Sequence, residues 1–260
     1  MRDYIDAAAF KNMILCADAA LAENTQMINE LNVFPVPDGD TGTNMGLTMN
    51  AAATELRKKE HYSVDAVADC VASALLRGAR GNSGVILSLL FRGISRRLKG
   101  METIGAKELA AAMNDGVEAA YKAVMKPAEG TILTVARLAA ASAVEFAKSS
   151  EDVEMMLEVS NKAAEEALED TVNQNPVLRK AGVVDAGGKG YIVIFGAMLA
   201  YLKGEVQAPA KAIDHSAIAN ESGAFDVFDT SEITYAFATD TASQKRTSTS
   251  NNPTTLSSII

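Results

Sequence analysis

The stretch Pro35-Val36-Pro37-Asp38-Gly39-Asp40-Thr41-Gly42-Thr43-Asn44-Met45 separates two helical segments. It combines two carboxylates, two glycines, two prolines and three small polar side chains, a composition that packing alone does not require. Gly39 and Gly42 permit backbone angles that other residues resist. Residues Thr41 to Met45 then enter a helix whose first N–H groups suit an anion. The stretch therefore predicts a loop and a helix start that together bind phosphate.

Asp38 and Asp40 are the candidate metal ligands of this loop. Mg²⁺ is usually held by one or two carboxylates, with its other positions left to water and substrate phosphates. A calcium-binding EF-hand loop starting at Asp38 would need a glutamate where Met49 stands. A phosphatase with Asp-x-Asp after a buried strand is disfavoured too, because Phe34-Pro35-Val36-Pro37 cannot form a central strand. The pair predicts Mg²⁺ bound together with a nucleotide, with a solvated turn as the alternative.

The composition narrows the class of protein. Of the 260 residues 48% are hydrophobic, only 5% are aromatic and none is tryptophan, which favours closely packed helices over a sheet sandwich. The net charge of −9 offers no broad basic face, so we expect no nucleic-acid partner. Cys16 and Cys70 lack Cys-x-x-Cys spacing, and no apolar run is long enough to predict a transmembrane segment. These features predict a cytoplasmic protein.

Apolar residues recur at helical spacing along most of the chain. This periodicity predicts eight helices and no convincing strand before residue 204, over residues 5–31, 43–59, 64–77, 85–98, 107–124, 131–148, 151–172 and 185–201. Short connections make neighbouring helices antiparallel. We therefore expect an all-α fold, an eight-helix antiparallel bundle or barrel.

Four connections of unusual composition fall at one end of the predicted bundle. They are the first, third, fifth and seventh connections, at residues 32–43, 78–84, 125–131 and 174–186. Alternate connections of an up-and-down bundle lie at the same end. The four connections therefore predict one composite site at a single rim.

The glycine-rich connection Gly78-Ala79-Arg80-Gly81-Asn82-Ser83-Gly84 matches neither the Gly-x-Gly-x-x-Gly motif nor a P-loop. Its backbone N–H groups from Gly81 to Gly84, with the Ser83 hydroxyl and the Asn82 amide, predict a cradle for phosphate oxygens. A tight helix corner is the alternative. Arg80 is a candidate for stabilising charge on a transferring phosphoryl group.

The other two rim connections offer polar residues beside helix starts. Thr131 and Thr134 follow Gly130 and are also candidate caps. Residues Asp185-Ala186-Gly187-Gly188 either line the site of a nucleotide base or a second phosphate, or cap the last helix. His61 and His215 lie outside the rim connections, and no nucleophile motif is present there. Chemistry without a protein nucleophile indicates direct in-line phosphoryl transfer.

Four motifs, in this order, resemble the N-terminal kinase domain of the ATP-binding subunit of bacterial fatty acid kinase. That domain is a relative of the nucleotide-binding L subunit of dihydroxyacetone kinases, and the similarity covers about residues 1–203. The motifs are Asn32-Val33-Phe34-Pro35-Val36-Pro37-Asp38-Gly39-Asp40-Thr41-Gly42-Thr43-Asn44-Met45, Arg77-Gly78-Ala79-Arg80-Gly81-Asn82-Ser83-Gly84-Val85-Ile86-Leu87, Glu129-Gly130-Thr131-Ile132-Leu133-Thr134-Val135 and Val184-Asp185-Ala186-Gly187-Gly188-Lys189-Gly190.

The resemblance implies a helical barrel that binds ATP with two Mg²⁺ ions at one rim. It implies an acyl substrate presented by a fatty-acid-binding partner of the DegV type, an acyl phosphate product that feeds phospholipid synthesis, and a homodimer formed through other parts of full-length relatives. Asp38 and Asp40 match metal ligands, and Asn32 is nearest to a third ligand position. With Arg80 as a catalytic candidate, the expected nucleotide-binding residues are Thr41, Gly42, Thr43, Asn44, Met45, Gly81, Asn82, Ser83, Gly84, Thr131, Asp185, Ala186 and Gly187.

The character of the sequence changes after residue 203. Residues 204–238 are expected to be a linker and the start of a truncated middle domain, because Phe228-Asp229-Thr230-Ser231-Glu232-Ile233-Thr234-Tyr235 resembles the start of that domain. A strand is possible at 233–238. Half of the residues from 239 to 260 are serine or threonine, which predicts a disordered tail. We expect a product that binds nucleotide but is incomplete for phosphorylating the carried fatty acid.

Two other functions remain open at this point. A dihydroxyacetone kinase L-type subunit has the same predicted fold, but Thr41 stands where those relatives have a histidine and Asn32 where they have an acid. A non-catalytic nucleotide-binding module is the second alternative, because the expected middle domain is incomplete.

Overall fold

The computed structural model describes residues 3–213, in which the secondary structure is helical apart from one isolated bridge between Ile5 and Ile104. The described part contains nine helices: α1 Ala7–Glu30, α2 Thr41–Lys58, α3 Val64–Gly78, α4 Gly81–Arg97, α5 Ala106–Ala123, α6 Ile132–Phe146, α7 Val153–Gln174, α8 Pro176–Ala181 and α9 Ala186–Leu202. The predicted all-α class is confirmed.

The long helices form a closed ring. Each of the helices α1 to α7 packs on the next in chain order, and α9 returns to lie between α7 and α1. Their inward faces carry aliphatic residues and many alanines, which form one continuous apolar core. Alanine allows close approach of helix axes, and the burial of the larger aliphatic side chains supplies most of the stabilisation.

Helix α8 is additional to the eight predicted helices and lies within the connection predicted at residues 174–186. Helix α8 has Pro176 at its first position, and the side chain of Asn175 accepts a hydrogen bond of 2.9 Å from the N–H of Val177. It ends at Gly182, whose φ of 70° is left-handed. Cap, proline and terminal glycine are sufficient to stabilise one turn and a half. Six residues are too few to show apolar periodicity, so the periodicity missed this helix.

Two helices begin two or more residues earlier than predicted. Helix α2 begins at Thr41 rather than Thr43, and α4 begins at Gly81 rather than Val85, so the predicted glycine-rich loop forms the first turn of α4. Glycine has low helix propensity. Here packing overrides that propensity, because a Cβ on Gly84 would lie only 2.4 Å from Thr48 Oγ1 of α2.

Residues 214–260 lie outside the described part, together with the expected middle-domain start, the possible strand at 233–238 and the serine- and threonine-rich segment. The predicted kinase domain, residues 1–203, ends one residue after α9. Within residues 3–213, no helix is both long enough and apolar enough to cross a membrane.

Helices α4 and α5 cross with their backbones almost in contact. A Cβ placed on Gly93 would lie 2.5 Å from the Asp115 carbonyl oxygen and 2.5 Å from Gly116 Cα. Both obstacles are backbone atoms, which cannot turn aside as a flexible side chain can. The crossing therefore requires glycine at Gly93.

We predict that Gly93→Ala lowers the free energy of unfolding by about 1–3 kcal/mol, because the added methyl group separates the two helices. Gly196 is the matched control: it lies in α9, and a Cβ added there would have no neighbouring atom within 4 Å. Gly196→Ala should raise stability by up to about 1 kcal/mol, since alanine favours the helix. Urea unfolding of the three proteins measures both effects, and equal stability of the two variants would contradict the prediction.

Candidate functional site

Helices α2, α4, α6 and α9 begin at the same end of the bundle, which we call the rim. The starts of α4 and α9 both touch the start of α2. A Cβ added to Gly81 of α4 would lie 2.3 Å from Asn44 Nδ2 of α2. A Cβ added to Gly190 of α9 would lie 2.5 Å from Met45 Sδ of α2. At α6, a Cβ on Gly187 of α9 would lie 3.2 Å from Ile132 Cβ. The four connections predicted to share one rim therefore do so.

Asp38 and Asp40 form a carboxylate pair on the loop before α2. Asp38 is exposed, Asp40 is half-buried, and the two side chains share a hydrogen bond. Burial raises the pKa of Asp40 above its ordinary value; a hydrogen bond from Asn44 opposes this increase, and the charge of Asp38 adds to it. A cation between the carboxylates would relieve their repulsion. A metal ion bound by this pair stays a prediction.

Asn32 lies directly beside this pair and is buried. Its Nδ2 donates a hydrogen bond of 3.0 Å to Asp38 Oδ1 and one of 2.7 Å to the Val36 carbonyl oxygen, while its Oδ1 accepts one from the Thr41 hydroxyl. The amide nitrogen, not the oxygen, therefore faces Asp38. In this arrangement Asn32 positions Asp38. A ligand role for Asn32 stays a prediction and would require its amide to be turned over.

The start of α2 is capped from another helix. Asn29 Oδ1 of α1 accepts hydrogen bonds of 2.7 Å from Gly42 N and 3.1 Å from Thr43 N, and its Nδ2 donates one of 3.0 Å to Thr43 Oγ1. The N–H groups of Gly42 and Thr43, which we predicted to bind an anion, are thus hydrogen-bonded within the protein. Sequence reasoning missed Asn29, because it lies inside α1 and has no local signal of a cap.

The residues that open α2 are mostly buried. A Cβ on Gly42 would lie 2.3 Å from the Thr25 carbonyl oxygen, so glycine is needed for the close contact with α1. Thr43 is buried, and Met45 is fully buried in the core. These residues build the helix start, whereas Asn44 is only half-buried and links Asp40 to the start of α4. Contacts of Thr41 to Met45 with a nucleotide stay predictions.

The start of α4 has no side-chain cap. Its backbone is held from outside the helix: Arg80 N donates a hydrogen bond of 3.1 Å to Thr48 Oγ1, and Gly81 has a left-handed φ of 56° against Asn44. Gly81 and Asn82 are exposed, Ser83 is half-buried and Gly84 is buried. The first turn of α4 therefore presents backbone donors beside the carboxylate loop.

The starts of α6 and α9 share one cap. Asp185, buried to 5% exposure, accepts a hydrogen bond of 2.7 Å from Gly188 N and another from the backbone of Ile132. Thr131 also caps α6, accepting a hydrogen bond of 3.4 Å from Leu133 N. These contacts match the capping alternative for Asp185 and Thr131. Ala186 and Gly187 are buried in the same contact, and nucleotide contacts of all four residues stay predictions.

Few side chains at the rim could coordinate a metal ion. Within residues 3–213, no three His, Cys, Asp or Glu side chains lie close enough together to hold a metal ion. A metal at Asp38 and Asp40 would therefore depend on further oxygens from water or from a bound ligand. Mg²⁺ accepts such a ligand set.

Asp185 provides a prediction for the pH dependence of stability. Burial raises the pKa of Asp185 from 3.8 to about 6. The folded protein then binds this proton more tightly than the unfolded chain, so stability is greatest below pH 4 and falls as the pH rises through 6. We expect this residue to lower the free energy of unfolding by about 3 kcal/mol over that interval.

The isosteric Asp185→Asn variant has no such proton and keeps an oxygen that accepts hydrogen bonds. Urea unfolding of both proteins between pH 4 and pH 7 isolates the contribution of Asp185 as the difference between the two curves. Wild type should lose stability relative to the variant as the pH rises. Parallel curves would contradict the prediction.

Comparison with known proteins places the chain in a family. A family model described as the DAK2 domain matches residues 35–200. Protein YloV of Bacillus subtilis is 43% identical over 241 residues, which cover 91% of this chain and 43% of YloV. An uncharacterized protein of Staphylococcus saprophyticus is 43% identical over 238 residues with the same coverage. The chain thus spans less than half the length of these relatives.

The fold is similar to that of the dihydroxyacetone kinase from C. freundii in complex with AMP-PNP and Mg²⁺. The TM-score is 0.59 at 19% sequence identity, covering 76% of this chain and 34% of the kinase. The native form of that kinase gives a TM-score of 0.58. The predicted fold of the dihydroxyacetone kinase type is confirmed. Because the family match also covers more than half of its length, the chain belongs to the DAK2 domain family.

Proposed function

We propose that this chain binds Mg-ATP at the rim as the nucleotide-binding part of a kinase. The observation that carries the proposal is the adjacency of an acidic pair and an uncapped helix start. Asn44 connects the two, because it bonds to Asp40 and packs against Gly81. The related fold of a dihydroxyacetone kinase that holds AMP-PNP and Mg²⁺ supports the same assignment.

The residues present fit a magnesium ion. Asp38 and Asp40 supply two hard oxygen donors. Burial raises the pKa of Asp40 most, the neighbouring charge of Asp38 adds to that increase, and a cation would offset the repulsion between the two carboxylates. We propose both carboxylates as ligands, with Asn32 as the position of a third. Two ions are expected from the family resemblance. Bound Mg²⁺ would neutralise charge on the phosphates.

The first turn of α4 is proposed to hold phosphate oxygens. The backbone N–H groups of Gly81, Asn82 and Ser83 lie at the positive end of the helix dipole, and the Ser83 hydroxyl adds a donor. Arg80 precedes this turn and is proposed to stabilise charge on the phosphoryl group as it transfers. With the nucleotide fixed in this way, positioning and electrostatics account for the catalysis without a protein nucleophile.

The proposed acceptor is the carboxylate of a fatty acid carried by a DegV-type binding protein. A carboxylate oxygen forms a bond to the γ-phosphorus while the bond between that phosphorus and the bridging oxygen breaks, which gives an acyl phosphate and ADP. The four motifs support this acceptor through their resemblance to fatty acid kinase. The fold match supports a second candidate, phosphorylation of dihydroxyacetone.

We predict that Asp38→Ala and Asp40→Ala each weaken Mg-dependent ATP binding at least about tenfold, because each removes a charged metal ligand. Asp69→Ala is the matched control, since Asp69 is an exposed aspartate on α3. Titration calorimetry with a nonhydrolysable ATP analogue, with and without Mg²⁺, measures the effect. Unchanged affinity in both site variants would refute the proposed metal site.

The acceptor is tested by an assay of ATP consumption. We expect consumption when a fatty-acid-loaded DegV-type protein is added to a full-length relative, and none with dihydroxyacetone. The opposite result would assign the second candidate. The same assay on the 260-residue chain distinguishes a kinase from a binding module: intact ATP binding without turnover would identify the chain as a nucleotide-binding part only.

A further inference from the structure

A second polar cluster lies far from the rim, between α1 and α2. Asp18 of α1 is fully buried, at 0% exposure. Asn50 Nδ2 lies 3.4 Å from each of its carboxylate oxygens, and Arg57 Nη1 lies 3.9 Å from Asp18 Oδ2. We call these three residues the α1–α2 cluster. Buried charges require partners, so the burial of Asp18 between two helices needs an explanation.

The same donors also contact the backbone of another segment. Arg57 Nη2 donates a hydrogen bond of 3.2 Å to the Lys211 carbonyl oxygen, and Asn50 Nδ2 lies 3.5 Å from the Ile213 carbonyl oxygen. These carbonyls belong to residues 205–213, which follow α9 and are mostly exposed. We call residues 205–213 the strap. The cluster therefore contacts a non-helical piece of chain by its main-chain oxygens.

The cluster has more donors than these contacts use. Arg57 Nε and Nη1 are buried, and neither has a hydrogen-bond partner among the residues described. A buried donor without an acceptor costs free energy. An ion pair of this kind also adds little stability compared with apolar packing. Contact with the strap gives Arg57 and Asn50 a role that packing of the helix pair does not require.

The contacts define the direction of the strap. Arg57 lies in the last turn of α2 and Asn50 lies about 10 Å nearer to the start of that helix, at 1.5 Å per residue. The strap passes Arg57 first, so it runs antiparallel to α2 and towards the rim.

We propose that the α1–α2 cluster is a docking site for the backbone of the strap, which it holds against α2 with the strap running towards the rim. The chain spans 43% of the length of YloV, whose sequence extends well beyond the matched part. In a relative of that length, docking of the strap would fix the direction in which the chain leaves α9. This inference does not depend on the proposed function.

Limited trypsin digestion of the full chain tests the docking site. Trypsin must bind the Lys211 carbonyl that Arg57 contacts, so docking protects the bond after Lys211. The bond after Lys99, in the exposed connection between α4 and α5, is an internal reference. We expect Arg57→Ala and Asn50→Ala to accelerate cleavage after Lys211 about tenfold relative to cleavage after Lys99, because the local opening of the strap becomes easier.

Arg92→Ala is the matched control, since Arg92 is an exposed arginine of α4 that is not adjacent to either of the two bonds. It should leave both cleavage rates unchanged. Wild-type cleavage after Lys211 that is as fast as after Lys99 would overturn the proposal, as would an unchanged ratio in both cluster variants. Equal acceleration at both bonds would assign the cluster to support of the helices instead. If Arg57→Ala does not fold, Asn50→Ala decides the outcome.

Discussion

Helix starts that approach too closely to leave room for a Cβ atom determine the geometry of the rim. Gly81 and Gly84 of α4 lie against Asn44 and Thr48 of α2, and Gly190 of α9 lies against Met45. At such distances any side chain would push two helices apart or force their neighbours to rearrange. Glycine therefore sets the separation of the helix starts, and with it the distance between the carboxylate loop and the first turn of α4.

Hydrogen bonding distinguishes these helix starts from one another. Every helix leaves its first N–H groups without a partner inside the helix. Asn29 satisfies two of them on α2, and Asp185 serves both α6 and α9. Helix α4 has no side-chain cap and lies beside Asp38 and Asp40. The rim thus combines a surface of donors with a surface of acidic oxygens, the combination that a phosphate and its metal ion require.

Most of the fold could be predicted from the sequence, because apolar periodicity marks eight long helices and alternation then places four connections at one end. The acidic pair could also be identified from the sequence, since Asp38 and Asp40 lie in a loop of glycines and prolines. Helix α8 could not be predicted in this way, because six residues are too few to show a helical period. The sequence predicts a loop at the first turn of α4, because the low helix propensity of glycine is a local signal, whereas the contact of Gly84 with α2 is not.

The sequence by itself determined the helical class, the order of the elements and the chemical types available at the rim. These follow from local patterns, in which each signal lies within a few residues of the element it describes. Only the tertiary structure decided which helix start remains uncapped and which way Asn32 turns its amide. Asn29 reaches Gly42 from the neighbouring helix, and Asp185 reaches Ile132 in the same way. A cap that comes from a distant part of the chain leaves no local pattern, because folding alone brings its two halves together.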